Sequence, residues 1–110
     1  MARRLERGEI RLYVFSRPDK ARPVLILTRD APIEYLSRVT VAPITSTIRG
    51  VASEVRLDVE DGMKGPCVVN LHNIVTVAQA GVGRRIAKLN ETKMHGVCRA
   101  IDFCLGCEGP

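Results

Sequence analysis

The sequence predicts an α+β domain, with five to seven short strands forming a strongly bent sheet or small barrel and one terminal helix. Three observations predict it. Short apolar stretches, several of them β-branched, recur between residues 9 and 89. Turn signals containing Gly, Pro and Asp separate them. From Asn90 onward the apolar period changes to steps of three and four. The 110 residues suit a single domain, taken as 1–110, with no repeats, low-complexity tracts or linkers.

The first strand runs from Glu9 to Phe15. Ile10, Leu12 and Val14 alternate with Glu9, Arg11 and Tyr13, so one face is expected to be wet. Pro18-Asp19 marks a turn. Pro23 to Thr28 (PVLILT) is solidly apolar, as in a strand covered on both faces, and Pro at its start lacks only a donor that a first residue can forgo. Asp30 to Glu34 reads as a short helix start, with Asp30 able to cap it. Arg38 to Ile44 is a β-branched strand with a polar exit through Thr45 to Gly50. Glu54 to Val59 alternates cleanly, and Glu60 to Pro66 is a turn. Cys67–Asn70 and Ile74–Val77 are strand-like around a bend at Leu71-His72-Asn73, and Arg84–Leu89 is a further short strand. Asn90 can cap the last helix, whose apolar stripe is Met94, Val97, Cys98, Ile101, Cys104 and Leu105.

Composition narrows the function. The net charge of +5 favours a polyanionic partner, because each neutralised phosphate releases counterions. The excess is uneven: residues 1–38 hold nine Lys/Arg against five Asp/Glu, 39–83 hold three against four, and 84–110 hold five against three. The two ends of the chain are therefore expected to build the positive surface. Only four aromatic residues occur, Tyr13, Phe15, Tyr35 and Phe103, too few for base after base to stack on aromatic rings. No apolar run approaches the roughly 20 residues of a membrane span, and the charged start lacks a signal-peptide core. The expectation is a cytoplasmic protein with reduced thiols and no membrane partner.

Four cysteines, Cys67, Cys98, Cys104 and Cys107, raise the question of a metal. His95, Cys98, Cys104 and Cys107 have the donor types for zinc, but not the usual two ligand pairs on separate elements. Cys98 and Cys104 also fall on the helix stripe, where a reduced thiol packs as a small hydrophobe. No metal and no cofactor are expected. Carboxylates do not cluster as a two-metal nuclease needs, and neither a phosphate-binding Gly-rich loop nor a nucleophile elbow appears. His72 and His95 have no motif around them. The residues alone thus support a nucleic-acid-facing module and nothing sharper.

Three stretches in order sharpen the reading: Arg7-Gly8-Glu9-Ile10, then Arg22-Pro23-Val24-Leu25-Ile26-Leu27-Thr28-Arg29-Asp30, then Val41-Ala42-Pro43-Ile44-Thr45-Ser46. Together they resemble the MazF/PemK toxins, ribonucleases of type II toxin–antitoxin systems. Gly65 to Val77 and Arg84 to Leu89 follow in the same register. The resemblance implies a small SH3-like barrel with a C-terminal helix and one or two short helices. It implies a homodimer with RNA in a groove, and a cognate MazE-like antitoxin whose acidic tail fills that groove. It also implies a metal-independent endoribonuclease that cuts single-stranded RNA, or loops of structured RNA, leaving 2′,3′-cyclic phosphate and 5′-OH ends.

The family's catalytic arginine falls on Arg22 and its threonine on Thr45. A guanidinium can brace the charge of a phosphorane, and a hydroxyl can hold a phosphate oxygen in line. An arginine with a pKa above about 12 is a poor general base, so the base is left open. Ser46 and Thr47 are secondary phosphate contacts, and Asn70, His72 and Asn73 are candidate base-edge readers. Two departures stand out. The loop Ser16 to Ala21 is shorter than the family's and lacks its Gly beside the arginine, which implies altered substrate access. His72-Asn73-Ile74-Val75 has lost the acid and arginine found there in relatives, which implies different base recognition. Two other classes remain as alternatives: a non-catalytic toxin relative that targets a topoisomerase or another protein, and a basic RNA-binding module. Against the first, the terminal Trp-Gly-x-Ile of the gyrase-poison branch is absent; against the second, the aromatic platform is missing.

Overall fold

The computed structural model describes residues 5–14, 21–30 and 37–106. Seven strands form one antiparallel sheet: β1 (Glu9–Tyr13), β2 (Arg22–Ile26), β3 (Arg38–Thr45), β4 (Glu54–Leu57), β5 (Cys67–Asn70), β6 (Val75–Ala78) and β7 (Val82–Lys88). Helix α1 spans Glu91–Leu105. The strand order is β4-β5-β3-β2-β1-β7, with β6 also on β3. The α+β expectation holds. Among the described residues no pairing joins β4 to β7, so the sheet is bent and open rather than closed into a barrel. The short helix expected at 30–34 lies, beyond Asp30, outside the described residues, as do residues 16–20 of the shortened loop.

Strand β3 explains the bend. Its first half, Arg38 to Val41, pairs with β6, and its end, Ile44 and Thr45, pairs with β5. Pro43, which has no N–H to give a ladder, falls in the gap between the two partners. Alternation along β2, β3, β4 and β5 then sorts side chains onto two faces. Leu25, Ala42, Ile44, Val55, Leu57, Cys67 and Val69 form the main core with Val97 and Ala100 of α1. Val24, Ile26, Val39, Val41, Val77 and Val82 form a second core on the opposite face. The solidly apolar PVLILT run is thus explained, since β2 is covered on both sides.

Helix α1 begins where expected: the Asn90 side chain accepts from the Lys93 N–H at 2.8 Å. Its Lys93 ammonium reaches the Arg56 carbonyl at 2.6 Å and the Asp61 carboxylate at 3.5 Å, which fastens the helix to β4. The buried stripe differs from the expected one. Val97 and Ala100 are buried, and Met94, Ile101 and Cys104 pack against the core. Cys98 is exposed and accepts from the Arg7 guanidinium at 3.3 Å, and Leu105 is exposed as well. Ala100 thus takes an inward position, while Cys98 and Leu105 of the expected stripe face outward.

The wet face expected for β1 is corrected too. Glu9 is only 2% exposed. Its carboxylate accepts from the Glu6 N–H at 2.9 Å and pairs with Arg11 at 3.0 Å and Arg85 at 3.5 Å. Arg11 on the same strand and Arg85 across on β7 make that burial tolerable.

After β4, Asp58 caps a 3-10 turn over Val59–Asp61, which ends at Gly62 with φ of 92°. A Cβ at Gly62 would lie 2.8 Å from the Ala87 Cβ. Gly62→Ala combines a left-handed backbone with overpacking. It is expected to cost about 2 kcal/mol, read as a lower urea midpoint with unchanged slope.

Candidate active site

Strand register assembles the site. In the β2–β3 ladder Val24 lies opposite Pro43, and continuing that register by two residues sets Arg22 opposite Thr45. Residues directly opposite on an antiparallel pair share a face, with Cβ atoms about 4.5–5.5 Å apart. The same rule extends the row. Thr45 opposes Val68, Asn70 lies two residues beyond Val68 on the same face, and Glu54 opposes Asn70. Arg22, Thr45, Asn70 and Glu54 therefore come from four adjacent strands and share one face, although 48 positions separate the first from the last along the chain.

At this end of the sheet the second core stops and a groove of about 330 Å³ opens, lined by Arg22, Thr45, Thr47, Arg49, Asn70 and Asn73, with Glu54 and Pro43. A larger cleft of about 890 Å³ adjoins it and shares Arg22, Ile44 and Thr45. That cleft is mostly apolar (Leu12, Pro23, Met63, Pro66 and Ile86), with Ser46, Lys64 and Arg84 beside them. The two openings meet at the strand ends that carry Arg22 and Thr45.

The polar bonds define what each group can do. The Thr45 hydroxyl oxygen accepts from the Thr47 N–H at 3.2 Å, which leaves its own proton to donate. Arg22 is exposed, and among the described residues its guanidinium has no ion pair or hydrogen-bond partner. Glu54 accepts from two successive backbone N–H groups, Gly50 at 2.9 Å and Arg49 at 3.0 Å. The Asn70 side chain accepts from the His72 N–H at 3.0 Å and caps the 3-10 turn Leu71–Asn73.

Of the seven sequence candidates, the structure gathers Arg22, Thr45, Thr47, Asn70 and Asn73 around the smaller groove. Ser46 lines the adjoining cleft. His72 is exposed on the turn and lines neither opening, although its neighbours Asn70 and Asn73 do. Sequence reasoning missed Arg49, Glu54, Lys64 and Arg84. Arg49 and Lys64 come from the middle of the chain, where charge counting found a slight acidic excess, so the positive rim is not built from the two ends alone.

Among the described residues no cluster of three or more His, Cys, Asp or Glu is placed to hold a metal ion. Cys107 of the considered zinc set lies outside the described residues. Cys67 is buried in the core, and its burial, with Asp58 and Asp61 nearby, raises its thiol pKa above the ordinary value. Burial also raises that of Cys104. Both are therefore poor nucleophiles at neutral pH.

Known proteins share this chain's sequence pattern and fold. Residues 6–105 match the family described as the PemK-like, MazF-like toxin of type II toxin–antitoxin systems. Endoribonuclease MazF3 of Mycobacterium tuberculosis is 46% identical over 83 residues, covering 76% of this chain and 81% of that protein. The solved Mycobacterium tuberculosis toxin MazF-mt6 superposes with a TM-score of 0.82 at 40% identity, over 89% of this chain and 96% of the other. A mycobacterial endoribonuclease solved with its cognate antitoxin has the same fold, with a TM-score of 0.84 at 24% identity over 96% and 99% of the two chains. Matched over nearly its whole length, the chain belongs to the PemK-like, MazF-like toxin family.

Proposed function

We infer that this endoribonuclease toxin cuts single-stranded RNA, or loops of structured RNA, by assisting attack of a ribose 2′-OH on the adjacent phosphorus. The observation that carries the reading is the placement of Arg22 and Thr45: opposite in register, at the open end of a ladder, in a groove rimmed by cations. Because RNA carries its own nucleophile, neither a metal nor a protein nucleophile is required. Arg22 presents planar, permanently charged donors to the non-bridging oxygens as the phosphorane gains negative charge. Thr45 donates its free proton to the same phosphate and helps hold attacking and leaving oxygens in line. The expected ends are a 2′,3′-cyclic phosphate and a 5′-OH. Thr47, Asn70 and Asn73 supply further donors and acceptors along the groove, Ser46 contacts the strand from the adjoining cleft, and His72 stands at the rim.

The same reading makes residues 1–110 one cytoplasmic toxin domain, acting as a homodimer and neutralised by an antitoxin with an acidic tail. The family's toxin–antitoxin description and the relative solved with its cognate antitoxin support that partnership. So do Arg22, Arg49, Lys64 and Arg84, which among the described residues are four cations along the two openings against the single carboxylate of Glu54.

The test is incubation with mixed-sequence single-stranded RNA in EDTA. Discrete cuts ending in cyclic phosphate are expected. Full inhibition by EDTA, reversed by a divalent cation, would overturn the metal-independent chemistry. No cutting over several RNAs, structured ones included, would overturn the RNA-cleaving reading and favour a protein target.

A further inference from the structure

Beyond Arg22 and Thr45, the groove contains one carboxylate among its described residues, Glu54, at a place where RNA phosphates would be repelled. Its bonds explain its presence. Glu54 opens β4, and its carboxylate accepts from the N–H groups of Arg49 and Gly50, five and four residues back along the chain. A third bond, from the Glu54 N–H to the Val51 carbonyl at 3.0 Å, turns the chain between them. Gly50 has φ of 73°, a left-handed conformation that suits glycine. At the other end of the segment, the Thr47 N–H is held by the Thr45 hydroxyl. The exit from β3 is thus pinned at both ends. Arg49 belongs to the groove lining and, like Arg22, has no partner for its guanidinium among the described residues.

We propose that Arg49 is a second phosphate-contacting cation of the groove and that Glu54 is its positioning residue, fixing the segment from Ser46 to Gly50 through two backbone N–H bonds. The inference rests on the RNA-cleaving reading. Glu54 acts here as a hydrogen-bond acceptor, not as a proton acceptor. That distinction makes the proposal testable, because glutamine keeps an accepting oxygen at the same place and loses the charge.

Binding is measured with a single-stranded RNA whose 2′ hydroxyls are methylated, so that it cannot be cut, over a range of salt concentrations. Cleavage of the unmodified strand is followed in parallel. Arg49→Ala is expected to weaken binding about tenfold at low salt. It should also make the slope of log K against log salt shallower by about 0.7, the effect of one phosphate contact on a single strand. Glu54→Ala is expected to reproduce both changes, with the loss in KM rather than kcat, and Glu54→Gln to restore both to within about twofold of the unsubstituted protein. If Glu54→Ala does not fold, Arg49→Ala and Glu54→Gln carry the test. An unchanged salt slope in Arg49→Ala would overturn the proposal while leaving the nuclease reading intact. A large loss of kcat in Glu54→Gln would overturn it in favour of proton transfer by Glu54. Failure of the unsubstituted protein to cut any RNA would overturn the nuclease reading and this proposal with it.

Discussion

Arg22→Ala and Thr45→Ala are each expected to lower kcat for RNA cleavage by two to three orders of magnitude while leaving the fold unchanged. The magnitude is that of losing one preorganised donor to a developing oxyanion, about 3–4 kcal/mol of transition-state stabilisation. Neither residue is a large part of a core: Arg22 is exposed, and Thr45 is half-buried at a strand end. Arg22→Lys is informative beside them. It keeps the charge but loses the planar fork of donors, so most of the loss should persist if geometry matters and most should be recovered if charge alone matters. The double variant should fall little below the worse single one, because residues that act as a unit are strongly non-additive. Single-turnover cleavage at matched folding, verified by circular dichroism, gives the comparison. Cutting that persists in both single variants would locate the chemistry elsewhere.

The second large effect is on stability. Glu9→Ala is expected to cost about 3 kcal/mol, because it removes a carboxylate that pairs with the largely buried Arg11 and leaves the Glu6 N–H without its acceptor. Arg85 adds little to this, since its side chain is about half exposed (52%) and solvent screens its share. In a domain of this size the loss corresponds to a fall in Tm on the order of 15 °C, compared at one protein concentration. Glu9→Gln, which keeps volume and an acceptor, should fall less than half as far. Equal Tm values for the unsubstituted protein and Glu9→Ala would mean that the ion pairs contribute nothing net.

Strand positions were readable because periodicity reports burial directly. β2 and β3 lie where the apolar runs place them, and Asn90 caps α1 as its position before the stripe suggests. Face assignment was less readable where a polar residue is buried by its partners. Glu9 looks like a wet-face residue until Arg85, 76 positions away, is known to lie beside it. Cys98 looked like part of the helix stripe, but Ala100 is the buried residue and Cys98 is exposed, a choice that the spacing of apolar residues alone does not make. In the candidate site, Arg22 and Thr45 were put forward through resemblance, while Arg49 and Glu54 sit in a polar exit and on an alternating strand with no pattern of their own. Only the pairing of β4 with β5 brings them to the groove.

The register that sets Arg22 against Thr45 also decides which changes the chain can absorb over generations. Between Ile26 and Arg38 the polypeptide returns from β2 to β3, and Leu27, Thr28, Asp30 and Ser37 within it are themselves packed or hydrogen-bonded. A length change between the strands that spares those four residues leaves Arg22 and Thr45 opposite each other. Within the ladder itself the tolerance vanishes. One residue inserted between Arg22 and Val24, or between Pro43 and Thr45, turns one member of the pair to the other face of the sheet. Length variation is therefore expected to concentrate outside these two tripeptides, and a natural variant that has gained or lost a residue inside either one should have abandoned cleavage.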